Sequence, residues 1–209
     1  MACASFRRRA LCGVFLLLVG WVGRAEAQDV TEVTLKGAFL FNFTRFTEWP
    51  ADSLPAQSTV SACVLGDRAV GDAFARQVKG KQVGGRTVNV TIVDANAALP
   101  MCHLLYLSGI PRARLGEIVS TLRESPVLTV SDADEFTKRG GIIQFFVESG
   151  KMRFRINARS AKRSRLLLSS RLLALADVVD EEATSVASVP PADALASADP
   201  VHDLEAKLR

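Results

Sequence analysis

Apolar residues crowd positions 30 to 46 without keeping to one stripe. Phe39, Phe41, Phe43 and Phe46 fall within eight positions, just ahead of Trp49-Pro50. Wound at about 100° per residue, these side chains cover most of a helix circumference, which predicts a helix from Val30 to Phe46 buried on more than one side. Pro50 pushes Trp49 out of the helical region and supplies the stop. One narrow strip differs: Ala38, Asn42, Arg45 and Trp49 follow at helical spacing and line up an amide, a guanidinium and an indole. Asn42 and Arg45 are hard to bury without a partner group, so the strip is a candidate binding surface.

Further along, the period shifts to two. Thr59 to Leu65 reads as a strand, and Asp67 can cap a helix running to about Lys79. Gly84-Gly85 turns the chain into the β-branched, alternating segment Thr87 to Val93. Cys102 to Leu107 is a continuous apolar run of the kind found in buried parallel strands. Pro111 opens a helix to about Arg123, Pro126 to Val130 makes a strand, and Asp132 is placed to cap a short helix ending at Arg139-Gly140. Gly141 to Val147 and Lys151 to Ile156 predict a β-hairpin, followed by a helical stretch from about Ala158 to Val179 that breaks near Leu168-Ser169-Ser170. Alternating strands and helices closed by a hairpin predict a single three-layer α/β/α domain, its sheet mostly parallel with the antiparallel C-terminal hairpin at the edge.

The two ends read differently. Arg7 to Arg9, the apolar run Leu11 to Val22 and Ala25-Glu26-Ala27 form the three parts of a signal peptide, expected to occupy residues 1–27. The apolar run is shorter than the roughly 20 residues a bilayer-spanning helix needs. Export, and in a bacterium a periplasmic location, follows. Loss of Arg7, Arg8, Arg9, Arg24 and Glu26 with the leader lowers the formal charge from +4 to +1, so the basic precursor is no argument for nucleic acid. From Glu181 to Arg209 the chain is rich in Ala, Ser, Asp and Pro, and reads as a disordered acidic tail after a domain of residues 28–180.

Catalytic signals are sparse, and the reading is a protein without enzymatic activity, cofactor or metal. His103 and His202 are the only histidines, which excludes a multi-histidine metal site. His103 sits inside an apolar strand, where a satisfied core histidine is the simpler reading. Gly80 to Gly85 precedes a strand instead of opening a helix, and so fails as a phosphate loop. Cys63 and Cys102 are the cysteines left after the leader. In an oxidising compartment two thiols on predicted strands pair more readily than they catalyse, giving a structural disulfide, with two buried thiols as the alternative.

Between positions 151 and 171 eight basic residues, among them Arg153, Arg155 and Arg159, occur without an acid. Alternation on the hairpin strand sends Arg153 and Arg155 to the face opposite Met152, Phe154 and Ile156. They form either a solvated face or a patch for an acidic partner or anionic ligand, since guanidinium groups grip carboxylates and phosphates in pairs.

Two blocks resemble a known family. Lys36-Gly-Ala-Phe-Leu-Phe-Asn-Phe-Thr-Arg-Phe-Thr-Glu-Trp-Pro50 is similar to the N-terminal signature of YfiR-family periplasmic proteins. The run Gly140 to Asn157, continuing to Leu168-Ser-Ser-Arg-Leu-Leu-Ala-Leu-Ala176, is similar to the C-terminal one. Cys63 and Cys102 stand where that family often carries a disulfide, whereas the second cysteine pair of some members is missing. The resemblance implies a repressor that binds the periplasmic domain of an inner-membrane diguanylate cyclase, lowers cyclic di-GMP signalling and restrains biofilm formation. It further implies release by an OmpA-like outer-membrane lipoprotein. The rival expectation is a periplasmic protein that binds a small aromatic or anionic ligand through Asn42, Arg45 and Trp49. A homodimer fits either reading.

Overall fold

The computed structural model describes residues 24–180, with side chains from Glu32 onward. The expected tail lies outside the described residues, as does the expected leader up to residue 23. In chain order the elements are α1 (Arg24–Arg45), β1 (Thr47–Glu48), β2 (Val60–Leu65), α2 (Arg68–Val78), β3 (Gln82–Val83), β4 (Arg86–Val93), β5 (Leu104–Leu107) and α3 (Arg112–Thr121). There follow β6 (Leu128–Ser131), β7 (Ile143–Glu148), β8 (Lys151–Asn157), α4 (Ala158–Arg163), β9 (Leu167–Leu168), α5 (Ser170–Leu173) and β10 (Asp177–Val179). One sheet runs in the order β10-β8-β7-β6-β5-β2-β4-β3, and β1 with β9 forms a separate two-stranded ladder. All neighbours in the large sheet are parallel except β7–β8 and β3–β4. The mixed α/β class and the mostly parallel sheet are therefore as the periodicity predicts.

Strand alternation divides the interior into two cores. Ala62 and Val64 of β2, Leu104 and Tyr106 of β5, and Phe145 and Phe154 of the hairpin pack with Leu40 and Phe43 of α1 and with Phe74 of α2. Cys63, Leu65, Leu105 and Leu107 face the other way, onto Leu115, Ile118 and Val119 of α3. The period of two thus separates α1 and α2 from α3 on opposite faces of the sheet.

The phenylalanines of α1 are mainly core. Phe39 and Phe43 stack at 5.9 Å, and both rest on Phe145 and Phe154, which face each other across the hairpin; ring centroids lie 5.0–5.7 Å apart. Gly37 lets α1 close on α2, because a Cβ there would stand 2.9 Å from the Phe74 backbone nitrogen. Phe41 is only partly buried, with the Lys81 ammonium 4.7 Å from its ring centre.

Three local expectations need correction. The hairpin is not the edge of the sheet, because β10 returns alongside β8 in parallel, Asp177 opposite Arg155. Asp132 caps no helix: residues 134–140 form turns, with Glu135 at φ 58°, a left-handed conformation that a right-handed helix excludes. The long C-terminal helix is broken into α4, β9, α5 and β10. Arg165 at φ 56° turns the chain out of α4, Leu167–Leu168 pairs with Glu48–Thr47, and the Ser169 hydroxyl accepts the Leu172 amide to start α5.

Candidate functional surface at the end of helix α1

Helix α1 stops at Arg45, and the Thr47 hydroxyl donates back to the Phe43 carbonyl at 2.8 Å. The chain then runs extended through β1, whose partner is β9, and the Ser169 amide donates to the Phe46 carbonyl at 2.9 Å. Trp49 therefore lies beyond the helix rather than in line with Asn42 and Arg45. Its indole N–H donates to the His103 carbonyl at 3.0 Å, and its ring meets the imidazole edge to face.

His103 uses both ring nitrogens on backbone. Nδ1 accepts from the Ser61 amide at 2.9 Å, which leaves Nε2 to carry the proton and donate to the Ser53 carbonyl at 3.1 Å. This ties the 49–53 segment to the amino ends of the central strands, the role of a satisfied structural histidine.

A groove of about 590 Å³ opens between β1, β9 and α4. Trp49, Pro50, Leu166 and Leu168 supply its apolar wall, and Lys162 and Arg165 its cationic rim. Leu167 on the same wall is 68 % exposed. Arg165 is held by Asp52 at 2.7 Å. The hydrogen bond from Arg165 draws the Asp52 carboxyl below its usual pKa.

Arg45 and Trp49 also line a smaller hollow of about 400 Å³ together with Arg86; Asn42 does not reach it. Arg86 Nε is buried there without a hydrogen-bond partner among the described residues. The basic residues of the C-terminal segment do not gather into one patch. Arg153 bonds Glu148, Arg155 meets Asp177 at 2.8 Å and lies over the Phe146 ring, and Arg159 meets Asp180 at 3.3 Å. Each has an acidic neighbour, as a solvated face would, while Lys162 and Arg165 of the same run line the groove.

A cluster the sequence reading missed sits at the carboxyl ends of β5 and β6. Asp132 Oδ2 accepts from Lys36 Nζ at 2.8 Å, the Tyr106 hydroxyl at 2.9 Å and the Ser108 hydroxyl at 3.0 Å. Burial works against the Lys36 charge, but hydrogen bonds to Asp132 and Glu32 outweigh it and hold its pKa above the usual value. Burial, followed by the Asp132 charge, raises that of Tyr106 as well. The four groups come from four elements and loops, so no local spacing announced them. Cys63 and Cys102 form a disulfide, Cα atoms 5.9 Å apart, joining β2 to the start of β5.

Among the described residues no group of three or more His, Cys, Asp or Glu is placed to hold a metal ion, and no helix is long and apolar enough to cross a membrane. An exposed leucine, a tryptophan and a cationic rim gathered on one small α/β domain make the β1–β9–α4 groove the candidate contact surface. Residues 33–177 match the YfiR/HmsC-like family, and the chain belongs to it. The family is periplasmic and regulatory rather than catalytic, acts in cyclic di-GMP signalling, and implies interaction with the periplasmic component of a diguanylate cyclase. No curated protein matches the chain.

Proposed function

We propose that this protein represses an inner-membrane diguanylate cyclase by binding the cyclase's periplasmic domain through the β1–β9–α4 groove. The observation that carries the reading is the exposed Leu167 and half-buried Trp49 beside Lys162 and Arg165. Tryptophan and arginine are enriched in binding hot spots, and surrounding apolar contacts serve to exclude water from them. Repression then requires only that the protein bind the inactive state of the cyclase more tightly than the active one. An OmpA-like lipoprotein competing for the same groove would relieve repression. Leader removal and export supply the protein to that compartment. The test is cyclic di-GMP in a deletion strain complemented with wild type or with Leu167→Glu. Wild type should restore the low level and the variant should not, although it is exported in equal amount; no rise on deletion overturns the proposal.

A second reading rests on the hollow lined by Arg45, Trp49 and Arg86, where two guanidinium groups and an indole suit a small aromatic carboxylate. Calorimetry with aromatic amino acids tests it. Binding lost in Arg86→Ala supports the site, and no heat with wild type removes it.

A further inference from the structure

The short segment from Trp49 to Ser53 serves two cavities. Trp49 and Pro50 line the groove described above, whereas Asp52 and Ser53 line a second pocket of about 340 Å³ at the amino ends of β5 and β6. That volume lies within the roughly 300–1,000 Å³ of small-molecule sites. Its lining includes the buried Leu105 and Val127 and, where α3 ends, the half-buried Leu122. Met101, also on the lining, is 91 % exposed, an unbranched apolar side chain with almost no protein surface to pack on. Polar groups are few. His103 lines the pocket but spends both ring nitrogens on backbone, which leaves Asp52 as the charged group, beside the negative end of the α3 dipole. Among the described residues no lysine or arginine lines this pocket.

We infer that this pocket takes a small aromatic amine, one ring carrying a single ammonium group on a short arm, and that its occupancy is coupled to the groove. The ring displaces water from Leu105, Leu122 and Val127, and the flexible Met101 turns onto it, a contact that sulfur makes favourably with aromatic rings. The ammonium goes to Asp52 as a charge-assisted hydrogen bond. Asp52 is already engaged from the groove side, where Arg165 meets it at 2.7 Å. Both side chains of that pair are more than half exposed, and such pairs hold weakly, so an arriving ammonium competes for the carboxylate on nearly equal terms. An amine in the pocket then frees Arg165 for an acidic group in the groove. Conversely, an acidic occupant that draws Arg165 into the groove frees Asp52 for the amine, and the coupling is positive and reciprocal. Trp49 adds a second link, since it lines the groove while its indole donates to the carbonyl of His103, a residue of the pocket. The coupling rests on the groove being the contact surface proposed above; the amine site does not.

Phenethylamine, charged at neutral pH, is the probe, and its uncharged isostere 2-phenylethanol the control. Titrated into the purified protein and followed by NMR, phenethylamine should give saturable shifts at the Leu105, Leu122 and Val127 amides and bind roughly threefold or more tighter than the alcohol. Asp52→Asn should lose that preference. Arg165→Gln removes the competing guanidinium and should tighten phenethylamine binding roughly twofold. Both substituted side chains are more than half exposed, so both variants should keep the wild-type amide spectrum away from the changed residues. An absence of saturable shifts in this pocket, or an alcohol bound as tightly as the amine, overturns the inference. So does an Asp52→Asn protein that still prefers the amine, and an Arg165→Gln protein of unchanged or lower amine affinity overturns the coupling. The titration contains no cyclase, so its failure and a failure of repression are read separately.

Discussion

Phe43 and Leu167 show how differently two apolar side chains can serve one protein. Phe43 is fully buried among Phe39, Phe145 and Phe154, whereas Leu167 faces solvent. Phe43→Ala removes the ring that joins α1 to the hairpin and should cost about 3–5 kcal/mol, read as a lower urea midpoint with unchanged slope. Leu167→Ala should stay within about 0.5 kcal/mol of wild type, because little surface leaves water there on folding. If repression fails in Leu167→Ala while the urea midpoint holds, the side chain belongs to the interface. The chain pattern marked Phe43 for burial but gave Leu167 no separate role, since it simply read as one more apolar residue of a helical stretch. Arg165 gives the same lesson: it was one of eight basic residues in a run, and only the left-handed turn at that position brings it to Asp52 and the groove.

At the scale of elements, the Lys36–Asp132–Tyr106–Ser108 cluster ties α1 to the carboxyl edge of the sheet. Lys36→Met leaves Asp132 with two neutral donors and one lost cation, and should destabilise by about 1–3 kcal/mol in thermal or urea melts near neutral pH. The pH dependence has a definite sign. Lys36 and Tyr106 both have raised pKa values in the folded state, so the native protein holds protons that the unfolded chain releases above about pH 10. Their stabilisation is complete below that range and falls as pH rises through it. Melting temperature should therefore drop on the alkaline side, and less steeply in Lys36→Met with Tyr106→Phe; equal slopes in the two proteins would contradict this assignment. Gly37 is the second tie between elements. Gly37→Val pushes a side chain into the Ala73–Phe74 backbone and should part α1 from α2, lowering the melting temperature by several degrees.

For the whole molecule, the Cys63–Cys102 bridge limits the freedom of the unfolded chain across a separation of 39 residues. The chain-entropy model assigns such a loop roughly 4 kcal/mol, a large share of the 5–15 kcal/mol typical of a domain. The Cys63→Ala, Cys102→Ala double variant should show a lower denaturation midpoint and faster proteolysis, and should lose repression through instability rather than through any contact residue. Mass spectrometry of the non-reduced wild type should find no free thiol at either position. A double variant with an unaltered midpoint would show that the bridge constrains little.

What the sequence determined by itself was every feature that rests on neighbours along the chain. Helix α1 and its stop, the Asp67 cap of α2, the glycine turn into β4, the apolar parallel strands and the hairpin are all governed by side-chain period, proline geometry and backbone chirality. Pairings between distant segments were decided only in the folded molecule. The residues from Ala158 to Val179 look helical because their local propensity is helical, yet β1 and β8 offer open strand edges, and the chain leaves the helix twice to pair with them. Asp132 looks like a cap because a helix would need one, yet a buried lysine, a tyrosine and a serine compete for the same oxygen and win. The groove is made in the same way, from β1, β9 and α4. β1 lies more than a hundred residues before the other two, and a chain's local pattern carries no record of which distant surface will close on it.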